Sequence, residues 1–146
     1  MRKPLGQKFD LIVNLFTSFA YFDDFNDNLK TLDSIKSSLN EDGLAVIDFL
    51  NIKYLKNNLI HKNTEEIDGI KFHLNRSIKN GFLIKKISFK HELNEYNFEE
   101  KVRSLDLIDF KSMFKQSNIE ILHIFGDYKL TSFDENNSKR LIFILK

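Results

Sequence analysis

The stretch that decides the fold is Phe9-Asp10-Leu11-Ile12-Val13-Asn14-Leu15-Phe16, a nearly continuous apolar run. Its length and its lack of alternation are typical of a strand buried on both faces of a parallel sheet. Apolar residues then recur at helical spacing, with Asp24 or Asn26 as the candidate N-cap and Gly43 closing the loop that follows. Residues 44–50 form a second apolar run. The pattern predicts a strand–helix–strand crossover of an α/β fold.

The middle of the chain, residues 52–105, has the character of an insertion. A short polar helix precedes three segments that alternate apolar and polar residues, as antiparallel strands with one wet face do. These segments are 70–78, 82–92 and 96–103. Asn80-Gly81 supplies the two-residue turn favoured in hairpins. We expect one domain, 1–146, with an antiparallel β-meander inserted into the α/β framework.

The framework resumes at Asp106, a candidate N-cap for a helix with Phe110 on its apolar face. A strand over 119–125 and a closing strand over 140–145 follow.

Composition excludes several classes of function. Twenty-two Lys and Arg oppose twenty-one Asp and Glu, so the net charge of +1 favours neither nucleic acid nor lipid as a partner. The chain has no cysteine, and its four histidines lack metal-ligand spacing, so we expect no metal site. No apolar window reaches membrane-spanning length, and the lack of a signal peptide predicts a cytoplasmic protein.

Three segments, taken in order, resemble the class I S-adenosylmethionine-dependent methyltransferases that act on small molecules. Residues 9–22 look like the fourth strand and the loop beyond it, written FDxVxxLFTSFGYF in that branch. Residues 39–48 are similar to the LKPGGxLxID passage into the fifth strand, and residues 125–142 to the FGDY…F…SxRLI ending. The resemblance implies a doubly wound, Rossmann-like sheet and S-adenosylmethionine as the cofactor of the intact family.

The chain departs from this family in one respect. The family holds its cofactor with a glycine-rich turn and an acidic residue, and none of the five glycines here forms GxGxG. Met1-Arg2-Lys3-Pro4 resembles the segment that precedes the family's fourth strand. We therefore expect the C-terminal part of a doubly wound methyltransferase sheet, truncated so that the cofactor-binding half is missing.

Ligands of such sheets gather beyond the carboxyl ends of the strands. By resemblance, Asn14, Phe16 and Thr17 would flank the methionine part of the cofactor, and Tyr21 would shape the pocket of a small-molecule acceptor. For Phe16 the alternative is core packing, and for Thr17 it is the satisfaction of a turn. Tyr128 follows another strand end and is a further candidate for substrate binding.

Two carboxylates are candidate catalytic residues. Asp48 stands near a strand end and Asp127 follows Gly126, where a carboxylate beside an apolar cleft can orient or deprotonate an acceptor. The alternative for both is a cap or a loop hydrogen bond. Arg76 is in phase with the apolar face of its strand, so it either meets an acidic acceptor group or extends to water.

The expected function is that of a methyltransferase region that does not catalyse alone. The alternative is a noncatalytic remnant or subunit that binds a protein partner through its incomplete sheet. The apolar strand 9–16 would then pair with its copy in a homodimer, or with a missing N-terminal half.

Overall fold

The structure is a computed structural model that describes residues 6–22 and 24–146. The Met1–Pro4 segment lies outside the described residues. The elements follow one another as β1 (Phe9–Asn14), α1 (Phe25–Ser37), β2 (Leu39–Leu50), α2 (Ile52–Asn57), β3 (Lys62–Ile67), β4 (Ile70–Lys79), β5 (Phe82–His91), β6 (Asn94–Arg103), α3 (Leu107–Gln116), β7 (Ile121–Phe125) and β8 (Arg140–Leu145). They form two compact units, one of residues 1–55 with 105–146 and the other of residues 56–104.

The first unit contains a mixed four-stranded sheet in the order β1-β2-β8-β7. β1 and β2 are parallel and are joined by α1, which confirms the predicted crossover. β8 is antiparallel to both of its neighbours, β2 and β7. β1 therefore lies at one edge of the sheet.

Local capping signals explain where the two longer helices begin. The Asp24 carboxylate accepts a hydrogen bond from the backbone N–H of Asn26 at the start of α1. Asp106 and Asp109 form a capping box at the start of α3. Both caps fall where the sequence places them. Within the described residues, no helix is long and apolar enough to cross a membrane.

An aromatic cluster forms the core between α3 and the sheet. The ring of Phe110 lies 5.1 Å from Phe49 of β2 and 5.0 Å from Phe143 of β8, measured between centroids. Phe19, from the segment after β1, packs against Phe110 at 5.7 Å. The core thus joins one face of the sheet to α3 and to the segment that follows β1.

Two expectations about β1 and β2 are wrong. β1 is not buried on both faces, because Ile12 is buried whereas Leu11 is 56% and Val13 is 52% exposed. Leu11 and Val13 lie on the sheet face opposite to Ile12, away from the aromatic core. Gly43 does not lie in a loop but within β2, where an added Cβ would lie 2.8 Å from the backbone oxygen of Phe9.

The second unit is an antiparallel sheet in the order β3-β4-β5-β6. β4, β5 and β6 are the predicted meander, and Asn80 and Gly81 both have positive φ, of 51° and 76°, in the turn between β4 and β5. β3 was not predicted, because its residues are polar and mostly exposed. Its antiparallel pairing with β4 extends the meander from three strands to four.

Candidate functional site

The buried carboxylate of Asp48 is the centre of a polar cluster in the first unit. Its Oδ1 accepts from Nε of Arg140 at 2.8 Å and lies 2.6 Å from Nη2 of the same side chain. Its Oδ2 accepts from the backbone N–H of Phe16 at 2.8 Å and from the hydroxyl of Tyr128 at 3.0 Å. Asp48 is fully buried, so these donors replace the water that a carboxylate otherwise requires.

The segment after β1 is bent at two consecutive residues with left-handed backbone conformations. Phe16 has φ of 56° and Thr17 has φ of 61°, values that cost bulky and β-branched residues about 1–2 kcal/mol each. The backbone N–H of Thr17 donates to the backbone oxygen of Asp48 at 3.1 Å. The bend is thus attached to Asp48 through both the side chain and the main chain of β2.

This bend presents the aromatic ring of Phe16 to solvent. Phe16 is 77% exposed, so the alternative interpretation that it packs in the core is wrong. Phe19, by contrast, is fully buried in the core. Asn14, at the end of β1, accepts a hydrogen bond on Oδ1 from the hydroxyl of Ser18 at 2.9 Å. The side chains of Asn14 and Phe16 and the backbone of Thr17 therefore lie in one short turn.

The end of the loop between β7 and β8 packs against the start of the same loop. An added Cβ on Gly126 would overlap the hydroxyl of Ser138 and lie 2.8 Å from its Cβ, so a larger residue would require Ser138 to move. The hydroxyl of Ser138 in turn accepts a hydrogen bond from the backbone N–H of Asp134. This close approach gives a physical reason for the glycine and the serine of the FGDY…SxRLI resemblance.

Asp127 closes a turn within that loop. Its Oδ1 accepts from the backbone N–H groups of Lys129 at 2.8 Å and Thr131 at 3.2 Å. Hydrogen bonds from Thr131 hold the pKa of Asp127 below its ordinary value of 3.8. Lowering the pKa of a carboxylate makes it a weaker general base.

Tyr128 joins the same loop to Asp48. Tyr128 is 61% exposed, while its hydroxyl donates to the buried carboxylate of Asp48. Partial burial, followed by the hydrogen bond to Asp48, raises the pKa of Tyr128 above 10.0, and the charge of Arg140 opposes this shift. The Arg140 guanidinium carbon lies 5.8 Å from the ring centroid.

Tyr21 and Arg76 are the other two candidates. Tyr21 is 51% exposed in the segment after β1. Arg76 belongs to the second unit, where its Nη1 donates to the side-chain oxygen of Asn63 and its Nη2 lies 3.8 Å from Glu65. The side chain of Arg76 is 22% exposed, so it is mostly covered within its own sheet.

Arg140 belongs to the cluster but was not among the predicted site residues, although it is the arginine of the SxRLI resemblance. Besides holding Asp48, it donates from Nη2 to the hydroxyl of Thr17 at 3.1 Å. Asn51 was also missed as an anchor: its amide donates to the backbone oxygens of Glu135 and Ser138, both at 2.8 Å. The available signals were the SxRLI resemblance for Arg140 and position for Asn51, which directly follows β2.

Comparison with solved structures identifies the fold. The chain is similar to an S-adenosylmethionine-dependent methyltransferase from Clostridium acetobutylicum ATCC 824, with a TM-score of 0.83 and 19% identity over 97% of this chain and 59% of that one. It is also similar to the methyltransferase CcbJ from Streptomyces caelestis, with a TM-score of 0.82 and 14% identity over 97% and 62% of the two chains.

A third similar structure is the sugar N-methyltransferase KedS8 from Streptoalloteichus sp ATCC 53650, with a TM-score of 0.71 and 13% identity over 96% of this chain and 57% of that one. No protein-family model matches the chain. No curated protein matches it either. The chain spans about three fifths of the length of the solved structures it resembles, and over that length it has the fold of the S-adenosylmethionine-dependent methyltransferases.

Proposed function

We propose that this chain is the C-terminal region of a cytoplasmic S-adenosylmethionine-dependent methyltransferase that acts on a small molecule, and that it does not catalyse alone. One observation carries the proposal. Three segments that resemble the family in sequence, those around Phe16, Asp48 and Tyr128, meet at one buried carboxylate. Sites of doubly wound sheets lie at this end of their strands.

The described residues fit only one end of the cofactor. Asn14, Phe16 and Thr17 lie in a single exposed turn, which suits contact with the methionine part. Asp48 cannot accept ribose hydroxyl groups without releasing one of its present donors. When bound, the cofactor supplies a methyl group on a sulfonium, and the protein mainly aligns the acceptor with that methyl group. The described residues therefore provide part of a methyl-transfer site and not a complete one.

The roles of the remaining candidates stay predictions. Tyr21, Arg76 and Tyr128 are proposed to contact the acceptor, and Tyr128 donates a hydrogen bond to Asp48. Asp48 and Asp127 were predicted to be catalytic. Their contacts favour positioning instead, because the buried carboxylate of Asp48 accepts three hydrogen bonds and pairs with Arg140, and Asp127 is held within its own turn.

Calorimetry with S-adenosylmethionine tests the dependence on a missing half. We expect the purified 146-residue chain to show no saturable binding at micromolar cofactor, because its contacts cover only part of the ligand. Fusion to, or mixing with, a segment carrying GxGxG that is encoded immediately upstream should restore binding. Saturable binding by the chain alone would contradict the proposal, and so would failure of such a reconstituted protein to bind.

A second candidate function is a noncatalytic subunit that binds a protein partner through its sheet. The specific observation is that β1 forms an edge of the sheet and that Leu11, Val13 and Phe16 are all more than half exposed. A strand edge with exposed apolar residues is a template for pairing with another strand. The partner would be a second copy, paired antiparallel about a two-fold axis, or the missing N-terminal half.

Light scattering on a size-exclusion column tests the homodimer. We expect a dimer at tens of micromolar, and Val13→Lys should weaken it by placing a charge on the exposed face of β1. Leu93→Lys is the matched control, since Leu93 is fully exposed in the turn between β5 and β6. A monomeric wild-type chain would exclude the homodimer, and equal weakening by both variants would exclude β1 as its interface.

A further inference from the structure

We infer that Arg140 is a positioning residue that sets the conformation of the turn after β1 and the position of the Tyr128 hydroxyl. The importance of this turn rests on the proposed function, in which it flanks the cofactor. The positioning itself is a property of the described chain and is independent of methyl transfer.

The contacts of Arg140 reach every part of the cluster. Nε and Nη2 hold Oδ1 of Asp48, and Nη2 also donates to the hydroxyl of Thr17 at 3.1 Å. The guanidinium lies beside the ring of Tyr128. With Oδ1 held in this way, the carboxylate turns Oδ2 toward the backbone N–H of Phe16 and the hydroxyl of Tyr128. One side chain on β8 thus fixes groups from three other parts of the chain.

The turn requires such support because its backbone is unfavourable. Phe16 and Thr17 both have positive φ and neither is glycine, so the bend persists only if its surroundings determine it. Asp48 holds the two backbone N–H groups, and Arg140 adds the contact to the side chain of Thr17. Loss of Arg140 therefore removes one contact to the turn directly and loosens the carboxylate that makes another.

Tyr128 provides a readout that separates positioning from simple loss of structure. Among residues 6–22 and 24–146, the charged groups that act on its hydroxyl are Asp48 of β2 and Arg140 of β8. The positive charge of Arg140 lowers the pKa of Tyr128, against the raising effects of burial and Asp48. Removal of that charge from a folded protein should therefore raise the pKa of Tyr128 further. Unfolding should move it the other way, toward the ordinary value of 10.0.

The experiment is an NMR titration of the full chain without cofactor. Tyrosine labelled with ¹³C at Cζ reports each phenol, and Tyr128→Phe assigns the resonance of interest. Backbone amide spectra report Phe16 and Thr17. The variants are Arg140→Met, Arg140→Lys and Thr17→Val, each checked for folding by circular dichroism. The calorimetric test of cofactor binding is separate, so failure of the proposed function and failure of this inference are distinguishable.

We expect folded Arg140→Met to raise the pKa of Tyr128 and to shift the amide signals of Phe16 and Thr17. Arg140→Lys restores the charge but not the planar fork, so the pKa of Tyr128 should return toward its wild-type value while Thr17 remains shifted. A wild-type pKa or unchanged amide signals in folded Arg140→Met would overturn the inference. If Arg140→Met does not fold, the test rests on Arg140→Lys and Thr17→Val. Unchanged amide signals of the turn in both of these variants would overturn the inference.

Discussion

Replacing Asp48 with Asn should destabilise the protein strongly. The change keeps the size of the side chain but removes the charge that pairs with Arg140 at 2.6 Å. Breaking a buried ion pair costs about 3–5 kcal/mol. The Arg140 side chain is 20% exposed and remains partly hydrated, so the expected loss is at the low end, about 3 kcal/mol.

The corresponding fall in melting temperature follows from the size of the chain. Unfolding entropy of about 2.1 cal/mol/K per residue over 146 residues gives about 0.3 kcal/mol/K, so 3 kcal/mol lowers the midpoint by about 10 °C. Thermal and urea melts followed by circular dichroism measure it. Asp42→Asn is the matched control, because Asp42 pairs with Lys146 but its side chain is 94% exposed. Equal midpoints for Asp48→Asn and the control would refute the reasoning.

Three further predictions concern the turn, the core and alkaline pH. Gly81→Val should lower the melting temperature and disturb the amide spectrum of the hairpin, because Gly81 has φ of 76°. If Lys79→Val in the adjacent strand has an equal effect, the assignment of a tight turn at Asn80-Gly81 is wrong. Asn28 is fully buried, and neither of its side-chain polar atoms has a hydrogen-bond partner within the described residues. Asn28→Leu should therefore keep or raise the melting temperature. A fall in the melting temperature would mean that these polar atoms are paired. The pKa of Tyr128 is raised, so its stabilising contribution is complete below pH 10.0 and is lost as pH rises through the folded-state pKa. Urea midpoints should therefore fall less above pH 10.0 in Tyr128→Phe than in wild type, and parallel curves would contradict this.

The parts of the fold that could be predicted are those with local signals. The cap at Asp106, the Asn80-Gly81 turn and the strand at 140–145 each depend on neighbouring residues. β3 has no apolar alternation, so hydrophobic periodicity could not detect it. Asp68-Gly69, where both residues have positive φ, was the available hairpin signal before β4.

The site was predictable in its location but not in its contacts. Asp48 and Tyr128 were predicted from their positions near strand ends and Phe16 from the resemblance, and the Asp48 carboxylate accepts hydrogen bonds from both Phe16 and Tyr128. Arg140 is 92 residues from Asp48 in sequence, so no local pattern indicates that they pair. The exposure of Phe16 could not be predicted either, because aromatic residues occur both in cores and on surfaces.

The position of β8 within its sheet has a consequence for biosynthesis. β8 is the last of the four strands to leave the ribosome, yet it lies between β2 and β7, which are made earlier. Until it arrives, β2 and β7 have no shared neighbour, and Phe110 and Phe114 lack their contacts with Phe143. The nascent chain therefore exposes apolar residues of an incomplete sheet, and such surface is prone to aggregation and is what chaperones cover.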